Sequence, residues 1–118
     1  MTYDKNNVFA KILRGEIPND TVYEDDYTLA FNDLYPKSKT HIIVIPKGEY
    51  SDFIDFNQNA KNDEIAAFFK TVSNIAKEND IASACQILAN CGQGGGQEIP
   101  HFHVHLVEGQ AVHFNIKQ

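Results

Sequence analysis

The sequence has few cysteines, and they are not placed for a disulfide framework or a metal-binding pair. Only Cys85 and Cys91 occur in 118 residues, and their spacing matches neither arrangement. The first residues also lack the charged and apolar regions of a secretory signal. We therefore expect the protein to work in the reducing environment of the cytoplasm.

Basic residues and long hydrophobic runs are scarce as well. The chain has ten Lys and Arg residues and sixteen Asp and Glu residues, which gives a formal net charge of −6. Proteins that bind nucleic acid polymers usually present a basic surface, so that class is disfavoured, although a small nucleotide can still bind locally. The longest aliphatic run, Ile42–Ile45, is far too short to cross a membrane. We expect neither a nucleic acid polymer nor a membrane as partner.

The most informative stretch alternates three histidines with three apolar residues: His101, Phe102, His103, Val104, His105 and Leu106. Successive side chains of a β-strand point to opposite faces, so a strand would place all three imidazoles on one face. The apolar face would pack on a core. Neutral imidazoles fit poorly against hydrocarbon, so the other face is expected to meet water, a metal or a ligand.

A glycine-rich loop lies directly upstream, with four glycines in five residues: Gly92, Gly94, Gly95 and Gly96. This composition excludes the interior of a helix or strand. Such a loop lets the backbone approach a ligand closely and present N–H groups to an anion. We therefore predict an anion site beside the histidines.

Hydrophobic periodicity predicts the remaining elements. They are a short helix from Asn7 to Gly15, strands over Thr21–Glu24, Tyr27–Asp33, Thr40–Ile45 and Ala84–Asn90, and a long helix over Asn62–Lys77 with Asn62 as its N-cap. Gly48–Asn59 is predicted to be irregular. This order predicts an α+β fold, a five-stranded antiparallel sheet with one short and one long helix on one side, forming a single domain over 1–118. The sheet surface left over, with apolar Val112 and Phe114, favours a homodimer.

Three interpretations of the histidines remain open at this stage. They could be solvated side chains on an exposed strand face. They could bind a metal such as zinc, with His41 contributing, although the middle histidine would crowd such a site. They could also perform nucleophilic catalysis at phosphorus, because neutral imidazole is a good nucleophile near pH 7 and flanking histidines can orient it. The third interpretation also uses the glycine loop.

The stretch His101–Val107 matches the histidine triad motif, His-φ-His-φ-His-φ-φ, where φ is hydrophobic. The resemblance to the histidine triad (HIT) family covers about residues 7–110. It includes four further segments: Val8–Pro18, Val22–Asp26, Ala30–Asp33 and His41–Lys47. The single-domain length resembles the Hint-like branch, which implies a homodimer in which two five-stranded sheets join into one.

The resemblance implies roles for individual residues. His103 would attack the α-phosphorus of a nucleotide and form a covalent nucleotidyl-histidine, which water would hydrolyse. His101 and His105 would support the nucleophile and the phosphate through hydrogen bonds, and His41 would orient the histidine network. Asp33 would take the ribose hydroxyls. The base would lie against Val8, Phe9, Ile17, Phe31 and Leu34, and the phosphate end would be lined by Asn90, Gly96, Gln97 and Glu98.

Two positions depart from the family pattern. Many members bind structural zinc through a Cys-x-x-Cys pair and two histidines, but Asn7 and Ala10 occupy those positions here. We therefore predict no metal and no cofactor. Glu98 lies where Hint-type hydrolases have a serine near the phosphate. Its carboxylate could act as a general acid if its pKa is raised, or could repel the phosphate and slow turnover.

The function implied is hydrolysis of purine nucleoside 5′-phosphoramidates, or of related nucleotide conjugates, with release of the nucleoside monophosphate. One alternative is cleavage of dinucleoside polyphosphates, as in the Fhit-like branch. Another is a nucleotide-binding or interaction protein with little catalysis, an alternative that Glu98 favours. The apolar residues expected around the base favour stacking, hence weak selectivity with a preference for purines.

Overall fold

The protein is described here from a computed structural model, which covers residues 2–113. Phe114, which was expected to help form a homodimer, lies outside these residues. The helices are α1 (Val8–Leu13), α2 (Phe53–Asn59) and α3 (Asn62–Glu78), and the strands are β1 (Thr21–Glu24), β2 (Thr28–Asn32), β3 (His41–Pro46), β4 (Cys85–Leu88) and β5 (Val104–Glu108). Within 2–113, no helix is both long enough and apolar enough to span a bilayer.

The five strands form one antiparallel sheet in the order β1-β2-β3-β5-β4, which confirms the predicted α+β fold. Strand β3 lies at the centre and is buried along its whole length, as its continuous aliphatic sequence predicts. The chain leaves β3, passes through α2 and α3, forms the edge strand β4 and returns as β5 beside β3. This return path brings the histidine stretch alongside β3.

Helices cover both faces of the sheet, so the expectation of helices on one side is wrong. On one face, α3 packs its apolar stripe against Ala30, Val44 and Leu106. On the other face, Phe9 of α1 packs on alternate residues of β2 and β3, namely Leu29, Phe31, Ile43 and Ile45. Because β2 and β3 carry apolar side chains on both faces, each face needs its own cover.

Helix α2 occupies part of the segment that was predicted to be irregular. The Asp52 side chain caps its N-terminus by accepting a hydrogen bond from the Asp55 N–H at 2.7 Å. Phe56 is fully buried and stacks on Phe102, with ring centroids 5.0 Å apart. The helix is therefore stabilised by burial of an aromatic residue, which a seven-residue helix needs because its own hydrogen bonds are marginal.

Two predicted element boundaries are also wrong. Lys61 is the N-cap of α3 and makes no side-chain cap, so Asn62 lies inside the first turn. The hydrogen-bonded part of β5 begins at Val104 rather than at His101, because the preceding residues bond to a loop instead of to β3. The Phe102 N–H, for example, donates to the carbonyl of Tyr50 at 2.8 Å. The alternation itself persists, since Phe102 and Val104 both enter the core.

Candidate active site

Four histidines from two neighbouring segments lie along β3, from His41 at its start to His101 beside Pro46 at its end. His41 begins β3, His105 lies in β5, and His101 and His103 lie in the extended approach to β5. The rings of His103 and His105 are 5.1 Å apart, and those of His41 and His105 are 5.2 Å apart. The strand pairing of β3 with β5 brings His41 and His105 together. Ile43 lies opposite His105, and His41, two residues earlier in β3, points to the same face.

His103 has one free ring nitrogen. Its Nδ1 lies 2.7 Å from the carbonyl oxygen of His101, so Nδ1 carries the proton and donates it. The Nε2 atom then keeps its lone pair and has no hydrogen-bond partner among the described residues. Phe9 packs edge-on against the ring at 4.9 Å. Burial lowers the pKa of His103 below its ordinary value of 6.5, which favours the neutral, nucleophilic form.

His101 is fully buried, so the expectation that all three imidazoles face water or a ligand is wrong for this residue. Its Nε2 donates to the carbonyl of Pro46 at 2.8 Å, and its Nδ1 accepts from the Tyr3 hydroxyl at 2.5 Å. Both ring nitrogens are thus engaged, and the expected side-chain contact with a phosphate is not available. His101 supports His103 through its main-chain carbonyl. Burial lowers the pKa of His101 to about 4.

His41 and His105 form a directed pair. The Lys37 N–H donates to His41 Nδ1 at 3.1 Å, so the proton of neutral His41 resides on Nε2. That N–H donates to His105 Nδ1 at 2.9 Å, which leaves the His105 proton on its Nε2 as a donor for a ligand. Burial, with His103 and His41 nearby, lowers the pKa of His105 to about 4.

Asp33 lies beside this pair. Its Oδ2 is 3.3 Å from His41 Nε2, and its Oδ1 accepts from the Tyr35 N–H at 2.8 Å. The burial of His41 lowers its pKa, and the Asp33 carboxylate opposes that effect. Asp33 is therefore placed to orient His41. Its side chain is 17% exposed, which leaves carboxylate surface for the predicted ribose contact.

Asp33, His41 and His105 bring three ligand atoms within 4.8 Å of one another, a spacing compatible with a metal ion. The protonation pattern opposes this use. His41 Nδ1 already accepts a backbone N–H, so coordination through Nε2 would require neutral His41 to lose its only ring N–H proton or to give up this hydrogen bond. The absence of a metal stays a prediction, and the tautomer of His41 supports it.

The residues expected to contact a base divide into two groups. Phe9 and Phe31 are buried and pack edge-to-face at 5.6 Å, so they form the core beneath the site. Val8 is 37% exposed, Leu34 is 85% exposed, and Ile17 is half-buried. The last three retain surface that a base could cover, whereas the two phenylalanines offer little.

The glycine loop is closed by hydrogen bonds of its own. It contains a short 3₁₀ turn, Gln93–Gly95. The N–H groups of Gly95, Gly96 and Gln97 donate to carbonyls within the loop, so the expected presentation of N–H groups to an anion is wrong for these three. Gly96 has a φ of +91°, which glycine adopts without strain. The N–H of Glu98 has no acceptor among the described residues, so it remains available to an anion.

Gln97 holds the loop together. Its side-chain oxygen accepts from the Gly92 N–H at 2.8 Å, and its amide nitrogen donates to the carbonyls of Ser51 and Ile99 at 2.7 and 2.9 Å. Both amide hydrogens are therefore used, and the expected donation from Gln97 to a phosphate is not available in this geometry. Asn90 makes only a long contact of 3.4 Å with the carbonyl of Gly96. Glu98 is exposed.

A cleft of about 390 Å³ adjoins the histidines. His41, His105, Asn90 and Lys37 line it together with apolar residues of β4 and β5: Ile87, Leu88 and Val107. Lys37 and Tyr3 were not identified from the sequence. The backbone N–H of Lys37 has no residue-specific signal, and Tyr3 is 98 positions from the histidine that it contacts.

Comparison with known proteins identifies the family of the chain. The HIT domain family model matches residues 14–112. A HIT-like protein of Azospirillum brasilense is 49% identical over 112 residues, covering 94% of this chain and 92% of its own length. The purine nucleoside phosphoramidase of Escherichia coli is 36% identical over 110 residues, covering 92% and 91%.

Solved structures agree as well. A HIT family hydrolase of Legionella pneumophila superimposes with a TM-score of 0.81 at 34% identity, covering 89% of this chain and 94% of its own. The family model spans most of the chain, and the relatives match along nearly their whole length. The chain therefore belongs to the HIT domain family and is related to its hydrolases.

Proposed function

We propose that the protein hydrolyses purine nucleoside 5′-phosphoramidates through a covalent nucleotidyl intermediate on His103. The observation that carries this proposal is the free Nε2 atom of His103, whose lone pair follows from the Nδ1 hydrogen bond to the carbonyl of His101. Burial keeps the ring neutral, and neutral imidazole is the nucleophilic form. The phosphoramidase relative supports this choice of substrate.

In the first step, His103 Nε2 forms a bond to the α-phosphorus, and the P–N bond to the amine breaks. The amine leaves with its electron pair and takes a proton from solvent. The nucleotidylated ring is cationic, and its Nδ1–H strengthens the hydrogen bond to His101. The Nε2–H of His105 is placed to stabilise charge on a non-bridging oxygen.

In the second step, water attacks the same phosphorus. The P–N bond to His103 breaks, the electron pair returns to Nε2, and a nucleoside monophosphate with a new P–O bond is released. The proton of the attacking water goes to solvent or to a neutral imidazole of the cluster. Asp33 is proposed to bind the ribose hydroxyls, and the at least partly exposed apolar side chains of Val8, Ile17 and Leu34 to pack on the base.

The experiment is intact-protein mass spectrometry after a rapid denaturing quench at alkaline pH, because the P–N bonds of a nucleotidyl-histidine and of the substrate hydrolyse in acid, together with an assay of AMP release from an adenosine phosphoramidate. We expect an added nucleotidyl mass in the wild type. We expect none in His103→Ala, which should also lose turnover while keeping AMP binding. His113→Ala is the matched control, because His113 is an exposed histidine outside the cluster.

Unchanged turnover in His103→Ala would reject the proposal. Release of AMP from a diadenosine polyphosphate, with no activity on the phosphoramidate, would favour the alternative substrate class. AMP binding without turnover of either substrate would favour a nucleotide-binding protein. Glu98→Ser would then test whether the exposed carboxylate beside the loop suppresses turnover.

A further inference from the structure

Tyr3, which precedes α1, contacts the histidine cluster through a hydrogen bond to His101. The Tyr3 hydroxyl donates to His101 Nδ1 at 2.5 Å and accepts from Asn7 Nδ2 at 2.9 Å. Asn7 also donates to the carbonyl of Asp4 at 2.7 Å, and its side-chain oxygen caps α1 by accepting from the Ala10 N–H at 2.9 Å. Tyr3 is therefore itself held in place by a helix cap.

The direction of these hydrogen bonds follows from the surroundings. Because His101 Nε2 donates to the carbonyl of Pro46, the neutral ring carries its proton on Nε2 and needs a donor at Nδ1. Burial lowers the pKa of His101 and raises the pKa of Tyr3, so the ring stays neutral and the hydroxyl keeps its proton. No other described residue donates to Nδ1 of this fully buried ring.

The orientation of His101 matters for His103. The main-chain carbonyl of His101 accepts from His103 Nδ1 at 2.7 Å, so it fixes both the orientation and the tautomer of His103. Phe9 lies edge-on to both rings, 6.3 Å from His101 and 4.9 Å from His103. A shift of the His101 ring would therefore reach His103 through the main chain and through Phe9.

We propose that Tyr3 is a positioning residue for His103, acting through the ring and the carbonyl of His101. The inference rests on the proposed function for its kinetic consequence, but its structural consequence stands independently. Tyr3 touches neither the substrate nor His103. It supplies the one donor that completes the hydrogen bonding of His101, and an unsatisfied buried nitrogen would let the ring move.

The test compares Tyr3→Phe with Tyr27→Phe, which removes a hydroxyl from a side chain that is 67% exposed. For Tyr3→Phe we expect kcat on an adenosine phosphoramidate to fall about tenfold, the effect of losing one hydrogen bond. We expect KM to change less than about twofold, because the nucleotide contacts remain. Tyr27→Phe should match the wild type in both constants.

The second readout is the set of histidine ring ¹⁵N signals in long-range ¹H–¹⁵N spectra. In Tyr3→Phe we expect His101 Nδ1 to move toward the position of a free ring nitrogen and His103 Nδ1 to shift as well. Unchanged His103 signals together with unchanged kcat would overturn the inference. A wild type without turnover would reject the proposed function alone, and the His103 signals would then decide the inference by themselves.

Discussion

At the scale of single residues, the proton on each clustered histidine is placed by a neighbour. Backbone groups form hydrogen bonds with His41 Nδ1, His101 Nε2 and His103 Nδ1, and His105 Nδ1 accepts a hydrogen bond from His41. These contacts leave one lone pair, on His103 Nε2, and one free donor, on His105 Nε2. Side by side, the two atoms provide a nucleophile and a donor for phosphate oxygen.

The dependence of activity on pH tests this arrangement. Because burial lowers the pKa of His103 below 6.5, the neutral form persists to lower pH than in a free histidine. We expect kcat/KM to level off at higher pH and to fall on the acid side with a midpoint below 6.5. A midpoint at or above 6.5 would contradict the arrangement, and His113→Ala should leave the profile unchanged.

Sequence reasoning was effective for residues whose position is set by strand spacing. The alternation around His103 and His105 predicted that these two side chains share a face, and the family resemblance implied that His41 lies beside them. The same spacing could not show that His101 turns into the core, since this depends on the Pro46 carbonyl and the Tyr3 hydroxyl. Contacts between distant segments leave no periodic signal in the chain.

At the scale of elements, the glycine loop depends on one side chain. Gln97→Ala would remove the partners of three backbone groups: the N–H of Gly92 and the carbonyls of Ser51 and Ile99. We expect a loss of about 1–3 kcal/mol in the free energy of unfolding, measured by urea denaturation. We also expect lower turnover, because the loop adjoins the cluster.

The matched control is Gln93→Ala, which removes an exposed side chain of the same type from the same loop. It should change the free energy of unfolding by less than about 0.5 kcal/mol. Equal destabilisation by the two substitutions would show that the Gln97 hydrogen bonds do not hold the loop.

The elements differ in how well their sequences predict them. Strand β2 and helix α3 were predicted within a few residues, because each repeats an apolar pattern over its whole length. Helix α2 was missed because its seven residues are too few for a clear period. The available signal was Asp52 as a cap before Phe53 and Phe56, which lie one turn apart.

At the scale of the molecule, we predict that the edge strand β4 is where two sheets join in the homodimer that the family resemblance implies. Strand β4 is an edge strand, and its Ile87 is 61% exposed. An exposed apolar edge is a ready site for pairing with a second chain. We expect Ile87→Glu to shift the protein from dimer to monomer in light scattering coupled to size exclusion.

Ile54→Glu is the control for this substitution, since Ile54 is 50% exposed but belongs to α2 rather than to the edge. It should leave the mass unchanged. A wild type that remains monomeric across a concentration series would contradict the proposed homodimer.

The stability of the whole molecule should also respond to acid. The pKa values of His101 and His105 are about 4 in the folded protein and ordinarily 6.5. The unfolded chain therefore binds more protons between these values, and stability falls as pH is lowered from 6.5 toward 4. We expect a loss of about 3 kcal/mol from His101, measured by urea denaturation.

Two hydrogen-bonded carboxylates act below this window. The pKa values of Asp25 and Asp55 are lowered from 3.8 by hydrogen bonds from nearby backbone and side-chain groups, so their protonation weakens the fold only at more acidic pH. A free energy of unfolding that stays constant between pH 6.5 and pH 4 would contradict the burial of the two histidines.

The bond between Tyr3 and His101 joins residues 98 positions apart, and this has a consequence for synthesis. The ribosome makes Tyr3 98 residues before His101. The segment that carries Tyr3 must therefore wait without its partner while the residues between them are translated. A nascent chain arrested in the glycine loop would contain β1 to β4 but no nucleophile, so the protein should become chemically competent only after the histidine stretch has been made.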